Sequence, residues 1–366
     1  MSIISLARPE IVAMKPYSSA RKEATDHGTL LNANESPWSL LGDAELDGSG
    51  LANGLNRYPD PQPRELISRL ADLYGVREEQ LLLTRGSDEG IDLLTRIFCR
   101  AGKDAILQCP PTFGMYRIAA QTQGAEIVSV PRLPGNDFRM DRDNLLETLK
   151  NDDRIKLLFL TSPNNPTGDA IDRDLLLDLL RCAAGKAIVV IDEAYTEFSS
   201  QASFSELIGQ HENLVVLRTL SKAWGAAGLR FGSVLAQEEV ISLLLRIIAP
   251  YPLASPVISL AKRMLADGMH KRQLNMLREA QENKKRLLRL LADRPFIQQI
   301  WPGEANFVLL RVRDAQSLMR FCAERNVILR GYPGEPLLQG CIRISVGSED
   351  ELAALKLVLD DWDKHR

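Results

Sequence analysis

The sequence predicts an α/β protein with a large, doubly wound, mostly parallel sheet and a smaller α+β domain behind it. Three observations carry this. From Arg64 onward, short apolar runs without polar alternation are separated by helical stretches, as in a sheet buried on both faces. After about Leu253 that rhythm gives way to long amphipathic helices and then to mixed short elements. The chain has 366 residues, 45% hydrophobic and 25% charged, enough for one large or two ordinary globular domains.

The elements follow in order. PRELISRLADLY, SDEGIDLLTRIFC, FGMYRIAAQTQ and DLLLDLLRCA read as helices; QLLLT, DAILQ, EIVSV, KLLFLT, AIVVID and NLVVLRT read as strands. The βαβα order is expected to continue to about Ala236. Residues 255–292 read as one or two long helices, with NMLREAQENKKRLLRLL strongly amphipathic. ANFVLLRV, VILR and CIRISV are strand-like, with a helix near SLMRFCAERN and a last helix from Glu349. Residues 1–60 read as irregular, rich in turn formers, and long enough to favour a functional or interface role. The expected division is an arm over 1–60, a large domain over 61–255, linking helices over 256–290 and a small domain over 291–366.

A net charge of −3 recommends neither nucleic acid nor an anionic membrane as partner. Five scattered cysteines without a C-x-x-C pair read as free thiols in a reducing compartment. The opening residues lack a signal-peptide pattern, and no stretch of about 18 apolar residues exists to span a bilayer. A cytoplasmic location is expected. His27, His211, His270 and His365 make no metal-ligand spacing, so no catalytic metal is expected.

Ligands of open α/β sheets bind at the carboxyl ends of the strands, and three motifs fall there. In LLLTRGSDEGIDLL a strand ends, Gly86 turns, and a helix opens at Ser87 and Asp88, either as a phosphate seat or as an ordinary N-cap. It is not G-x-G-x-x-G, which counts against a dinucleotide. FLTSPNNPTG is a tight turn after a buried strand, and its Asn165 can offer an amide to a ligand oxygen. In AIVVIDEAYTEF, Asp192 follows five apolar residues and needs a partner: the next turn, or a protonated heterocyclic nitrogen. Tyr195 lies three residues on. A Mg²⁺-holding role for Asp192 needs an upstream G-x-x-x-x-G-K-[ST], which is absent.

Lys222 sits among Ala223, Trp224, Gly225, Ala226, Ala227 and Gly228. Such surroundings desolvate an ammonium and favour the free amine that condenses with an aldehyde; the bland alternative is a lysine reaching out to solvent. Ser221 and Arg230 bracket it, and both suit a phosphate. A phosphate seat (Ser87, the Asp88 backbone, Ser221, Arg230), an amine (Lys222), a carboxylate (Asp192) and donors to a phenolic oxygen (Asn165, Tyr195) together match pyridoxal 5′-phosphate.

SPNNPTG, DEAY and SKAWGAAGLRFG resemble the fold-type I aminotransferases, of the aspartate aminotransferase superfamily. LNANESP, NRYPDPQP, RGSDEGID, CPPTFGMY, IAPYPLASP and ILRGYPGEPLLQGCIRISVG are similar to the histidinol-phosphate branch of it, nearly end to end and in order. The resemblance implies amino-group exchange between L-histidinol phosphate and 2-oxoglutarate, with glutamate as product, by a homodimer. It implies catalytic roles for Lys222, Asp192 and Tyr195. It matches Phe113 to an aromatic residue stacked on the cofactor ring, and Tyr58 to a tyrosine reaching the neighbouring subunit's cofactor phosphate. Arg343 matches a grip for the α-carboxylate, and Arg330 a residue facing the substrate's phosphate, with Tyr17 at the same pocket. Both arginines also read as surface residues at a sheet edge. Three other readings stay open: an aminotransferase preferring aromatic amino acids, a phospho-amino-acid decarboxylase of the same fold, and a catalytically silent binding module.

Overall fold

A computed structural model describes residues 2–16, 36 and 55–364. Its helices are α1 (Pro9–Ala13), α2 (Arg64–Tyr74), α3 (Ser87–Phe98), α4 (Met115–Gln123), α5 (Arg142–Asn151), α6 (Arg173–Ala183), α7 (Glu238–Ile247), α8 (Ser255–Met264), α9 (Met269–Leu291), α10 (Ala315–Ala323) and α11 (Glu349–Lys364). The large sheet holds β1 (Leu81–Thr84), β2 (Ala105–Gln108), β3 (Glu126–Ser129), β4 (Ile155–Thr161), β5 (Ile188–Asp192), β6 (Leu214–Thr219) and β7 (Gly232–Ala236), in the order β1-β7-β6-β5-β4-β2-β3. The small sheet holds β8 (Ile297–Trp301), β9 (Phe307–Val312), β10 (Arg330–Gly331) and β11 (Cys341–Ser345), in the order β10-β11-β9-β8.

The unalternating strands are apolar on both faces because both faces are covered. Side chains of a strand alternate between faces. Leu158, Leu160, Val189, Ile191 and Val216 therefore pack with α2, α5 and α6 on one side. Leu157, Phe159, Ile188, Val190, Val215 and Leu217 pack with α3, α4 and α7 on the other. The small sheet buries Val308, Leu310, Ile342 and Ile344 against α10 and α11. The long helix α9 contributes Leu277 to the first core and Leu287 and Leu291 to that of the small sheet.

The structure departs from the sequence reading in four ways. The βαβα order stops at β6: β7 runs antiparallel to both β6 and β1. Antiparallel neighbours need no crossover helix, and residues 220–231 form only a loop with a 3₁₀ turn at Ala227–Leu229. That loop carries Lys222 and Arg230. Second, the described start of the arm is not irregular: Ile3–Leu6 is a 3₁₀ turn, α1 follows, and Ile3, Ala7 and Ile11 pack into the α3–α7 core. Third, the reading passes over α5, α7 and β8. Fourth, only Arg330 and Gly331 of the strand-like VILR segment and its neighbour pair as a strand.

Candidate active site

Strands β4, β5 and β6 are parallel and end side by side in Thr161, Asp192 and Thr219. A cavity of about 540 Å³, including its open mouth, lies over these ends. It is lined by Ser87, Asp88, Phe113, Asn165, Asp192, Tyr195, Ser221, Lys222 and Arg230, so nine residues expected from the sequence converge on one space.

One end of the cavity is an anion cradle. Gly86 holds φ +77°, which favours glycine, and a Cβ there would lie 2.9 Å from Nη2 of Arg230. Gly232 lies so close to Gly86 and Ser87 that a Cβ would meet their backbone at 2.7–2.8 Å. These two glycines let the N-terminus of α3 approach the Lys222 loop. Arg230 donates to Asp88 Oδ2 at 3.2 Å, to Ser221 Oγ at 3.4 Å and to the Ala227 carbonyl at 3.1 Å. Helix N–H groups, a serine hydroxyl and a guanidinium facing one space are a donor set for phosphate.

Asp192 marks the other end, at only 2% exposure. Burial pushes its carboxyl up to about 6, against the pull of bonds from the Tyr116 hydroxyl (2.9 Å) and the Ala194 N–H (3.1 Å). Such a carboxylate suits a protonated ring nitrogen.

Tyr195 is buried, with its ring edge-on to Phe307 at 5.3 Å. Burial pushes its phenol up to about 12, so it keeps its proton. Its oxygen accepts from Nδ2 of Asn165 at 3.4 Å, which leaves the phenolic proton for a ligand oxygen. Arg343 donates to Oδ1 of Asn165 at 2.5 Å and stands 5.1 Å over the Phe307 ring. Lys222 Nζ lies 5.6 Å from the centre of the Tyr195 ring. Its side chain remains exposed to the open cavity rather than desolvated outright. Partial burial and the positive charges of Arg343 and Arg230 still lower its pKa, which favours the free amine.

Three expected residues do not line the cavity. Arg343 borders the cavity through Asn165 without lining it. Arg330 is exposed on β10, 5.9 Å from the Tyr332 ring centre. Tyr58, 48% exposed, stacks on Tyr251 at 4.4 Å. Tyr17 lies outside the described residues. The sequence reading missed Tyr116, Thr161 and Thr219. The two threonines were findable, because each ends an apolar strand as Asp192 does.

Amine, carboxylate, phenol and anion cradle meet at the carboxyl ends of the strands, a set that can hold a phosphorylated aldehyde cofactor. Residues 27–356 match the family described as aminotransferase class I and II. The chain is 42% identical to a histidinol-phosphate aminotransferase of Cronobacter sakazakii over 96% of this chain and 94% of the relative. It is 41% identical to one of Escherichia coli K12 over 96% of each. Among solved structures, a histidinol-phosphate aminotransferase of Clostridium acetobutylicum superposes with TM-score 0.78 at 21% identity, over 86% of this chain and 93% of that one. Another of Sinorhizobium meliloti, in complex with pyridoxal-5′-phosphate, gives 0.77 at 23%, over 84% and 83%. These two speak for the fold. The chain belongs to the class I and II aminotransferases and, within them, to the family of the histidinol-phosphate aminotransferases. It is a transaminase whose cofactor is pyridoxal 5′-phosphate.

Proposed function

We propose that the protein exchanges the amino group between L-histidinol phosphate and 2-oxoglutarate, giving imidazole acetol phosphate and L-glutamate in histidine biosynthesis. The observation that carries this is 41–44% identity to histidinol-phosphate aminotransferases over 96% of the chain. It works in the cytoplasm as a homodimer with shared sites; no described helix is long and apolar enough to cross a membrane.

When bound, pyridoxal 5′-phosphate supplies an electron sink for the carbon that bears the substrate's amino group. Ser87, the backbone N–H of Asp88, Ser221 and Arg230 would hold its phosphate, and Phe113 would lie against its ring. Asp192 holds a proton on the ring nitrogen, while Asn165 and Tyr195 bond the ring oxygen. Lys222 would hold the aldehyde, and its free amine would be the base that takes the proton from the amino-bearing carbon of the substrate and passes it on. Arg343 pairs the carboxylate of glutamate or 2-oxoglutarate. Arg330 and Tyr17 meet the phosphate of histidinol phosphate, and Tyr58 serves the neighbouring subunit's cofactor phosphate. Both half-reactions use one site, so ping-pong kinetics are expected.

The test is a single-turnover screen. Cofactor-loaded protein is mixed separately with histidinol phosphate, phenylalanine and phosphothreonine, and the cofactor's absorption is followed. Histidinol phosphate should convert the cofactor to its amine form fastest. Faster conversion by phenylalanine, or release of CO₂ from phosphothreonine, would overturn the assignment.

A further inference from the structure

We infer that Tyr116 is a positioning residue for the reaction, acting through Asp192: its hydroxyl holds the carboxylate in place and in its charged form for the cofactor's ring nitrogen. The inference rests on the reading of Asp192 as the partner of that nitrogen.

The geometry is specific. Tyr116 is wholly buried. Its ring stacks on Phe159 at 4.8 Å with 6° between planes, and meets Phe113 edge-on at 5.7 Å and 83°. Two aromatic neighbours leave the ring one orientation, and that orientation aims the hydroxyl at the end of β5. There it lies 2.9 Å from Oδ2 of Asp192 and 2.6 Å from Oγ1 of Thr161.

Donors and acceptors then fall into one order. An ionised carboxylate only accepts, so the phenolic proton goes to Asp192. Thr161 must then donate to the Tyr116 oxygen. Thr112, whose hydroxyl lies 3.3 Å from that of Thr161, donates to Oδ1 of Asn164 at 3.0 Å. The Ala194 N–H donates to Oδ1 of Asp192 at 3.1 Å. Each carboxylate oxygen has one protein donor, and the carboxylate still faces the cavity.

The electrostatics point the same way. Burial is the largest influence on Asp192 and disfavours its charge; the bond from Tyr116 is the largest of those that restore it. Burial and the neighbouring Asp192 charge hold the Tyr116 phenol well above its usual range, so it remains a donor. With the cofactor bound, one proton is shared between ring nitrogen and carboxylate. A donor to the carboxylate favours the charged pair, with the proton on the ring, and so strengthens the electron sink. Removing that donor makes the carboxylate the stronger base and draws the proton toward it.

The test is Tyr116→Phe, which deletes only the hydroxyl and keeps the stack, read in holoenzyme loaded with cofactor labelled by ¹⁵N at the ring nitrogen. In the wild type the ¹⁵N signal should lie at the protonated position. In the variant it should move toward that of neutral pyridine, while kcat falls roughly tenfold and KM changes less than about twofold. Thr161→Val leaves Tyr116 in place but removes its own donor. It should shift the signal in the same direction by less, and it carries the test if Tyr116→Phe does not fold. An unmoved signal with kcat near that of the wild type, in a folded variant, would overturn the inference alone. Wild-type protein that takes up cofactor with an unprotonated ring nitrogen would overturn the role of Asp192 itself, and that of Tyr116 with it.

Discussion

Arg330 and Arg343 stand directly opposite each other across β10 and β11, so two guanidiniums leave the same face of the small sheet. Like charges in that arrangement repel, and a bound anion relieves the repulsion. Arg343 is turned toward the cavity by Asn165, whereas Arg330 is exposed. The two should divide their labour. A charge-assisted bond is worth roughly 1.5–3 kcal/mol, or about ten- to a hundredfold. Arg330→Ala should lower kcat/KM for histidinol phosphate by roughly 10- to 1,000-fold, since exclusion of water adds to that value, and harm the glutamate half-reaction less. Arg343→Ala should do the reverse, because histidinol phosphate has no carboxylate. Equal loss of both half-reactions in both variants would refute the division.

Asp192 gives the cofactor-free protein a pH dependence of known sign. Its folded pKa, about 6, lies above the ordinary 3.8. The folded state therefore binds the extra proton between those values, and the group's contribution to stability is lost as pH rises through about 6. At pH 8 the buried charge costs on the order of 1–3 kcal/mol. Cofactor-free Asp192→Asn should therefore melt higher than the cofactor-free wild type at pH 8, with a smaller gain at pH 5. Its turnover when loaded should fall about 10²-fold or more. A melting difference that grows on acidification would contradict the sign.

Much of this site was legible because chemistry concentrates where a residue type contradicts its surroundings. Asp192 after an apolar strand, and Lys222 amid small residues, are such contradictions. Tyr116 is not one: an aromatic residue on a helix face that turns inward reads as core, and its hydroxyl matters only once β5 is placed beside it. The direction of β7 was equally hidden, since an apolar strand looks alike whichever way it runs. Helix α5 buries only Leu145 and Leu149, so its apolar stripe is thin. Strand β8 lies at the edge of its sheet with Gln298 and Gln299 exposed, which masks the strand pattern.

The turn that presents Asn165 is fixed by a contact between two glycines. Gly168 (φ +81°) faces Gly303 (φ +52°), and a Cβ on either would meet the other's backbone at 2.5–2.8 Å. The carbonyl of Gly168 also accepts from the Glu304 N–H at 2.6 Å, tying the turn to the segment entering β9. Gly168→Ala should therefore cost on the order of 2–4 kcal/mol, through backbone strain and forced separation. Because Asn165 bonds both Tyr195 and Arg343, catalysis should suffer beyond the loss of folded protein. Thermal melting alongside kcat/KM at a temperature where the variant is fully folded separates the two effects. Unchanged melting would show that the turn yields without cost.

Tyr58 tests the proposed sharing of sites between subunits. Its ring stacks on Tyr251 at 4.4 Å, yet the side chain is 48% exposed and does not line the cavity of its own chain. A tyrosine that is held by stacking and half-exposed is accessible to a neighbouring subunit, as the proposed shared site requires. If it reaches the cofactor phosphate of the other subunit, Tyr58→Phe should weaken cofactor binding, and the defect should lie in the partner's site. Lys222→Ala should remove the borohydride-reducible link to the cofactor in its own site. In a hybrid of the two variants, one site combines the intact lysine of the Tyr58→Phe chain with the intact tyrosine of the Lys222→Ala chain, so it carries neither defect. The other site carries both. Mixed protein should therefore exceed the summed activity of its separate components at limiting cofactor, approaching half of wild type per hybrid dimer. Hybrids can be isolated with two different affinity tags, which makes subunit exchange a measured quantity. Isolated hybrids no more active than the Tyr58→Phe protein would place Tyr58 in its own subunit's site.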